Sequence, residues 1–241
     1  ADAINDGVLC EYDYHIVPVF LSQAEQDLFD EISLELGQLM AIKLGGSLSE
    51  GQQNRMTTLA GRRSRVIGGA ENKAIELERI VTNFPAEQRS HTLIYCGEGK
   101  RDKELKEDAE LDERNINQIS RILRKAGWSS SRFTSEEKTR ARKAIMTDFV
   151  EGSVNALVSL KVLDEGVDVP VCNKAFILAS TRNRRQYVQR RGRVLRPHST
   201  KSKSIIYDFV ILPAKGSDNS SSLGLIKAEL ERVDDFCAFA R

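Results

Sequence analysis

Metal-type cysteine spacing is missing from this chain of 241 residues. Its four cysteines, Cys10, Cys96, Cys172 and Cys237, lie far apart with no C-x-x-C pair. That spacing argues against a zinc site or a thiol redox motif. The three histidines, His15, His91 and His198, are equally scattered and form no H-E-x-x-H pattern. No metal site is therefore expected. No stretch approaches the ~18 consecutive apolar residues of a membrane span. The acidic first residues lack a signal-peptide pattern. Cys96 sits in an apolar run, as buried free thiols do, and scattered free thiols fit a reducing, cytoplasmic setting. With 40% hydrophobic and 29% charged residues, the chain falls outside the disordered, collagen-like and disulfide-scaffold classes. Its length is ample to bury a single core.

The net charge of +1 conceals an asymmetry. Residues 1–60 hold ten acids and two bases, a local charge of −8, and residues 169–207 hold ten bases and no acid, +10. An acid-free basic stretch of this length implies an anionic partner such as phosphate or nucleic acid. A solvated basic face, or arginines bridging to the acids of the first segment, are the structural alternatives.

Leu21, Ala24, Leu28, Ile32, Leu36 and Leu39 recur at helical spacing. Ser22 and Glu25 form a capping box at the start of that helix. Gly45, Gly46 and Ser47 end it, and residues 47–71 read as a helix of uncertain length plus a connector. From residue 72 onward, helices alternate with short apolar runs. Ala74, Leu77, Val81 and Phe84 line one helical face, which Pro85 stops. Thr92–Cys96 reads as a buried strand, and the charged residues 99–114 as an exposed loop. Ile116, Ile119, Leu123 and Ala126 make a second helix, ended by Gly127 where a left-handed residue is favoured. Thr134 or Ser135 caps a third helix through Phe149.

Val154–Leu160, Ala175–Ala179 and Ser204–Leu212 are nearly continuous apolar runs, the pattern of parallel strands covered on both faces. Such alternation predicts one α/β domain with right-handed crossovers. A flexible link at 217–222 and a last helix carrying Leu225, Ile226, Leu230, Val233 and Phe236 complete the chain. Ligands in such sheets gather at the carboxyl ends of the strands. Residues 163–170 and 181–196 both follow predicted strands.

The segment 184–196 is the most informative. On a helix, advancing about 100° per residue, Arg185, Gln186, Gln189, Arg190, Arg193 and Arg196 share one arc. Tyr187, Val188, Val194 and Leu195 fall opposite. Convergent guanidinium groups repel one another unless they receive an anion, and their forked donors suit phosphate oxygens.

Gln189-Arg-Arg-Gly-Arg-Val-Leu-Arg196 resembles motif VI of superfamily 2 helicases, Q/H-R-x-G-R-x-x-R. Leu163-Asp-Glu-Gly-Val-Asp-Val-Pro170 resembles their motif V, and the strand Thr92–Cys96 their motif IV. Phe133-Thr-Ser and Phe149-Val-Glu-Gly152 resemble the stretch between motifs IV and V. Order and spacing match over about residues 65–213, most like restriction-type, excision-repair and Swi/Snf-like DNA translocases and less like DEAD-box RNA helicases.

The resemblance implies the second, C-terminal RecA-like lobe of such an enzyme. Its fold would be a parallel β-sheet sandwiched by helices, with a helical N-terminal extension and a C-terminal helix. The implied divisions are a mainly helical lead-in over 1–71, the RecA-like domain over 72–215, and a linker with helix over 216–241. Arg193 and Arg196 would reach the γ-phosphate of ATP, Arg196 as the arginine finger. Gln189, with Arg190 beside it, would link the phosphates to the lobe interface. Asp168 would lie near the ribose hydroxyls, and Gly166 would let its turn pass close to the nucleotide. Thr134, Ser159 and Lys161 would contact nucleic-acid phosphates, joined by Thr181, Arg182 and Asn183. Leu160 stands where motif V usually has threonine.

No G-x-x-x-x-G-K-[ST] phosphate loop is present; Gly97-Glu-Gly-Lys100 has the wrong spacing. Nor is there a DEAD/DEAH-type box for Mg²⁺; Asp108-Ala-Glu-Leu-Asp112 is not one. In the family both belong to the first lobe. The expectation is a second lobe cut from a longer protein, which would use ATP and Mg²⁺ when whole and bind neither tightly alone. Its expected partners are nucleic acid, DNA before RNA, and the N-terminal lobe, with no membrane. A non-catalytic nucleic-acid-binding module, or an interaction protein docking through the acidic segment, are the other readings.

Overall fold

The computed structural model describes residues 7, 9–96, 106–134, 139–160, 169, 171–179, 192–199, 201–237 and 240, with the backbone alone for 106–112. Six strands form one sheet: β1 (Glu11–Phe20), β2 (Thr92–Tyr95), β3 (Ser130–Arg132), β4 (Ala156–Ser159), β5 (Lys174–Ile177) and β6 (Lys203–Leu212). Every neighbouring pair is parallel, in the order β1-β6-β5-β2-β4-β3. The helices are α1 (Gln23–Gly45), α2 (Glu50–Gly68), α3 (Asn72–Thr82), α4 (Lys106–Lys125), α5 (Thr139–Val150) and α6 (Ser220–Cys237).

Successive strand residues enter opposite cores, because side chains alternate across a pleated sheet. Ile94, Val158, Phe176, Phe209 and Ile211 fill one core, with Leu77 and Val81 of α3 and Ile119 and Leu123 of α4. Leu93, Tyr95, Leu157, Ile177 and Ile206 fill the other, with Phe149 of α5 and Phe236 of α6. Continuous apolar runs thus follow from a sheet covered on both faces, as the sequence predicts. A third, smaller core of Ile32, Leu36, Leu39 and Leu59 joins α1 to α2.

Local chemistry sets several boundaries. The Ser22–Glu25 capping box is present, and Glu25 Oε1 also accepts the Glu71 N–H at 2.9 Å. Ser49 and Gln52 build a second capping box on α2. Gly127 adopts φ +76° just past α4, a conformation that costs a side-chain-bearing residue energy.

The structure corrects the sequence reading in five places. Residues 11–20 are a strand, not part of a helical lead-in, and pair with β6 over ten residues. Pro18 obscured it, yet proline is tolerated because β1 is an edge strand. Residues 106–114 belong to α4 rather than to an exposed loop. β3 is short, polar and at the other edge, so it carries no apolar signal. In α1 the core residue is Phe29, while Leu28 faces outward; in α6 Leu230 is likewise exposed. The expected flexible link at 217–222 is tied down: Ser221 Oγ and Asn219 Nδ2 both donate to Asp30, and α6 begins at Ser220. Ser135 lies outside the described residues, as do 97–105.

Candidate nucleotide-facing site

A parallel sheet brings the carboxyl ends of all its strands to one end of the molecule. Thr134 and Ser159 both lie at that end, since the Phe133 N–H donates to the Val158 carbonyl at 2.9 Å, extending the β3–β4 ladder. Thr134 is half-buried. Ser159 is buried, and its carbonyl accepts the Cys96 N–H at 3.0 Å and the Cys96 thiol at 3.3 Å. At the same end lies a cleft bordered by Gly69, Lys73, Cys96, Asn115, Gln118 and Leu178. Lys73 is buried and closes the last turn of α2, donating to the carbonyls of Ile67 at 2.7 Å and Gly68 at 3.3 Å.

Residues 192–199 carry the end of the arginine segment. Residues 192–194 are helical. Val194 and Leu195 are buried in the core beside Ile206 and Cys172. Arg193 is half-buried and Arg196 is exposed. The burial split agrees with the sequence reading, in which Val194 and Leu195 oppose the arginines, but among the described residues the helix ends at Val194, so Arg196 lies beyond it, and residues 184–191 lie outside the described residues. The backbone between them is anchored. The Val194 carbonyl accepts Lys201 Nζ and Ser204 Oγ, each at 2.9 Å. The Leu195 carbonyl accepts the Cys10 N–H at 2.8 Å. Lys201 Nζ also donates to the Cys172 carbonyl at 2.9 Å.

Three members of the basic stretch have internal or paired roles. Lys174 is buried and donates to Asn173 Oδ1 at 2.6 Å. Lys201 is buried among the carbonyls just named. Lys203 pairs with Asp13 of the acidic segment at 2.6 Å. Burial lowers the pKa of Lys174 and of Lys201, with nearby cysteines opposing the shift. Burial pushes the Cys172 thiol up to about 12, the charges of Lys201 and Lys174 working against it. Counting bases along the chain could not separate these lysines from the arginines, because burial is a property of the fold.

Gln189, Arg190, Gly166, Asp168, Lys161, Thr181, Arg182 and Asn183 lie outside the described residues. Among the described residues no three of His, Cys, Asp and Glu cluster as metal ligands. Among them no helix is long and apolar enough to cross a membrane.

A second polar centre was not legible beforehand. Arg232 of α6 is buried and donates to Asp208 Oδ1 at 2.5 Å and Glu229 Oε2 at 2.6 Å. Tyr14 Oη donates to Asp208 Oδ2 at 2.7 Å, and the Tyr14 ring stacks on Phe236 at 5.2 Å. Burial alone would lower the Arg232 pKa, but the charges of Asp208 and Glu229 outweigh it and raise it. Burial, then the Asp208 charge, raises the pKa of Tyr14. Nothing in the spacing of these residues along the chain announces their meeting.

The helicase conserved C-terminal domain matches residues 72–198, more than half of the chain. The chain belongs to that family. As the motifs suggested, it is a C-terminal lobe of the superfamily 2 helicase type. The yeast (Saccharomyces cerevisiae) protein IRC3 is 26% identical over 125 residues, covering 52% of this chain and 18% of IRC3. The DNA 3'-5' translocase XPB2 of Sulfurisphaera tokodaii is 40% identical over 55 residues, 23% of this chain and 12% of its own. Dicer-like protein 2 of Pyricularia oryzae is 47% identical over 45 residues, 19% of this chain and 3% of its own. The matched regions thus span under a fifth of the length of each relative.

The fold of this helicase C-terminal domain recurs in solved structures. The C-terminal part of the Fun30 ATPase domain superposes with a TM-score of 0.52 at 11% identity, covering 95% of this chain and 98% of that one. The Sulfolobus solfataricus SWI2/SNF2 ATPase core, solved with dsDNA, gives 0.54 at 10% identity, covering 83% and 41%.

Proposed function

We propose that this domain is the second lobe of an ATP-dependent nucleic-acid translocase and supplies arginines to a nucleotide held mainly by a first lobe. One observation carries the reading: Arg193 and Arg196 flank two core residues, so their backbone is fixed while Arg196 remains solvent-facing. The donor set fits ATP phosphates, since guanidinium forks match phosphate oxygens and keep their charge at all relevant pH. ATP would supply the scissile phosphoanhydride. Arg196, with Arg193, would place positive charge against the transferring phosphoryl group; Gln189, Arg190, Gly166 and Asp168 would hold the rest of the nucleotide.

In the same reading Thr134, Lys161, Thr181 and Arg182 meet nucleic-acid phosphates, whereas the burial of Ser159 leaves it little surface for such a contact. The similarity to a DNA 3'-5' translocase supports DNA ahead of RNA. The lobe alone is expected to hydrolyse no ATP.

The test is Arg196→Ala in the full-length protein to which the lobe belongs. Steady-state ATP hydrolysis should fall by roughly 10³–10⁵ in kcat, the range for loss of an arginine finger, while nucleotide and DNA binding largely persist. Equal hydrolysis rates would remove the role from Arg196, and Mg²⁺-dependent turnover by the isolated lobe would remove the need for a first lobe.

The basic stretch favours one other reading, a non-catalytic nucleic-acid-binding module. It requires tight binding by the isolated domain that weakens steeply with salt as condensed counterions are released. A lone lobe offers half of a track and should bind DNA poorly in a salt titration.

A further inference from the structure

Lys201 stands among the ten bases of the acid-free stretch, yet its ammonium points inward, and the residue is only 9% exposed. It donates to two carbonyls of different segments: Cys172, two residues before β5, and Val194, at the end of the helical turn 192–194. The Val194 carbonyl takes a second donor, Ser204 Oγ at the start of β6. The Lys201 backbone N–H bonds the His198 carbonyl at 3.0 Å, so the loop leaving the arginine segment folds back over its own anchor. One ammonium therefore joins β5, the arginine segment and the approach to β6. Orphan carbonyls at the end of a helical turn favour a cation. A lysine supplies three donors on a stem long enough to reach both carbonyls. Among the described residues the hydrogen-bond partners of the Lys201 ammonium are main-chain oxygens, not carboxylates.

Arg193 immediately precedes the clamped Val194, and Arg196 immediately follows Leu195, whose carbonyl is held by the Cys10 N–H. Displacing this backbone would displace both guanidinium groups together. We infer that Lys201 is a positioning residue for ATP hydrolysis: by fixing the Val194 carbonyl to the body of the sheet, it sets the reach of Arg193 and Arg196. The inference rests on the proposed role of Arg196. Misplacing a transition-state group by about an ångström costs on the order of 10²-fold in rate.

The experiment compares Lys201→Met, Arg196→Ala and the double variant in the full-length protein by nucleic-acid-stimulated ATP hydrolysis, with kcat and KM separated. Lys201→Met should lower kcat about 100-fold with KM for ATP within about twofold. The double variant should lose far less than the product of the two single losses, retaining only the part that passes through Arg193, because residues that act as a unit are not additive. Lys201→Arg, which keeps charged donors, should recover much of the loss. An unchanged kcat in Lys201→Met, or losses that multiply in the double variant, would overturn the positioning role while leaving Arg196 in place. No loss in Arg196→Ala overturns both readings. If Lys201→Met fails to melt cooperatively, Ser204→Ala carries the same comparison: it removes one of the two donors to the Val194 carbonyl. A several-fold fall in kcat, smaller when Arg196 is already alanine, is then expected, and an unchanged kcat sinks the proposal.

Discussion

Arg232 and Arg196 carry the same guanidinium in opposite surroundings. Arg232 is 4% exposed and lies between two carboxylates, Asp208 on β6 and Glu229 on its own helix. Arg196 is exposed, in a stretch of 39 residues without an acid. The first arrangement is closed: charge, hydrogen bonds and burial all serve the docking of α6 on the sheet. The second leaves Arg196 exposed on a backbone that other groups hold. The contrast teaches that a basic residue's part in function follows from which groups hold its backbone and which face its charge. Lys201 sits between the two cases, buried like Arg232 but bonded to main-chain oxygens, one of them in the segment that carries Arg196.

The sharpest way to break this comparison is stability. Arg232→Ala leaves Asp208 and Glu229 buried without their cation, and removal of one partner of a buried ion pair typically costs about 3–5 kcal/mol. Urea denaturation of the domain should show a loss of that order, and a shift under about 1 kcal/mol would mean that the network is not what docks α6.

Thiol chemistry gives the next largest effect. Cys172, beneath Lys201, is buried with its pKa at about 12, whereas Cys237, at the end of α6, is exposed. Only the thiolate reacts, so iodoacetamide at pH 8.5 should label Cys237 at least about 100-fold faster than Cys172, read by mass spectrometry. The sign with pH follows. A thiol whose pKa is raised by folding contributes stability below its ordinary value near 9 and loses it as pH climbs to about 12. Cys172 should therefore become reactive as the fold loosens in that window, and rapid labelling at pH 8.5 would contradict its burial.

The smallest effect should come from Arg196 itself. An exposed side chain contributes little to folding, so Arg196→Ala should shift stability by no more than about 0.5 kcal/mol. A loss comparable to that of Arg232→Ala would show that Arg196 is structural and erase the distinction between the two regions.

Much of the fold was legible because its signals are local. Continuous apolar runs at 92–96, 154–160, 175–179 and 204–212 marked the four inner and near-inner strands, since those residues are covered from both sides. The Ser22–Glu25 box and Gly127 marked helix ends by hydrogen-bonding and φ requirements that few residue types meet. The edge strands were not legible. β1 alternates polar and apolar residues and contains Pro18, and β3 is a three-residue polar strand; each is covered less and so carries less pattern. At the site, the burial of Val194 and Leu195 away from Arg193 and Arg196 was visible from a 3.6-residue period, although the helix stops at Val194.

The sequence alone pointed to the family, because the runs that resemble it are short stretches of neighbouring residues whose chemistry demands their spacing. It also determined which side of the arginine segment would seek the core. Tertiary structure decided which bases serve the interior. Lys174, Lys201 and Lys203 look like the arginines around them until the fold brings Asn173, the Cys172 and Val194 carbonyls, and Asp13 to their amines. It likewise decided that Tyr14, Asp208, Glu229 and Arg232 would share one buried centre across more than two hundred residues of chain. Charge is written residue by residue, but the dielectric and the partners that give a charge its role exist only once distant segments pack together.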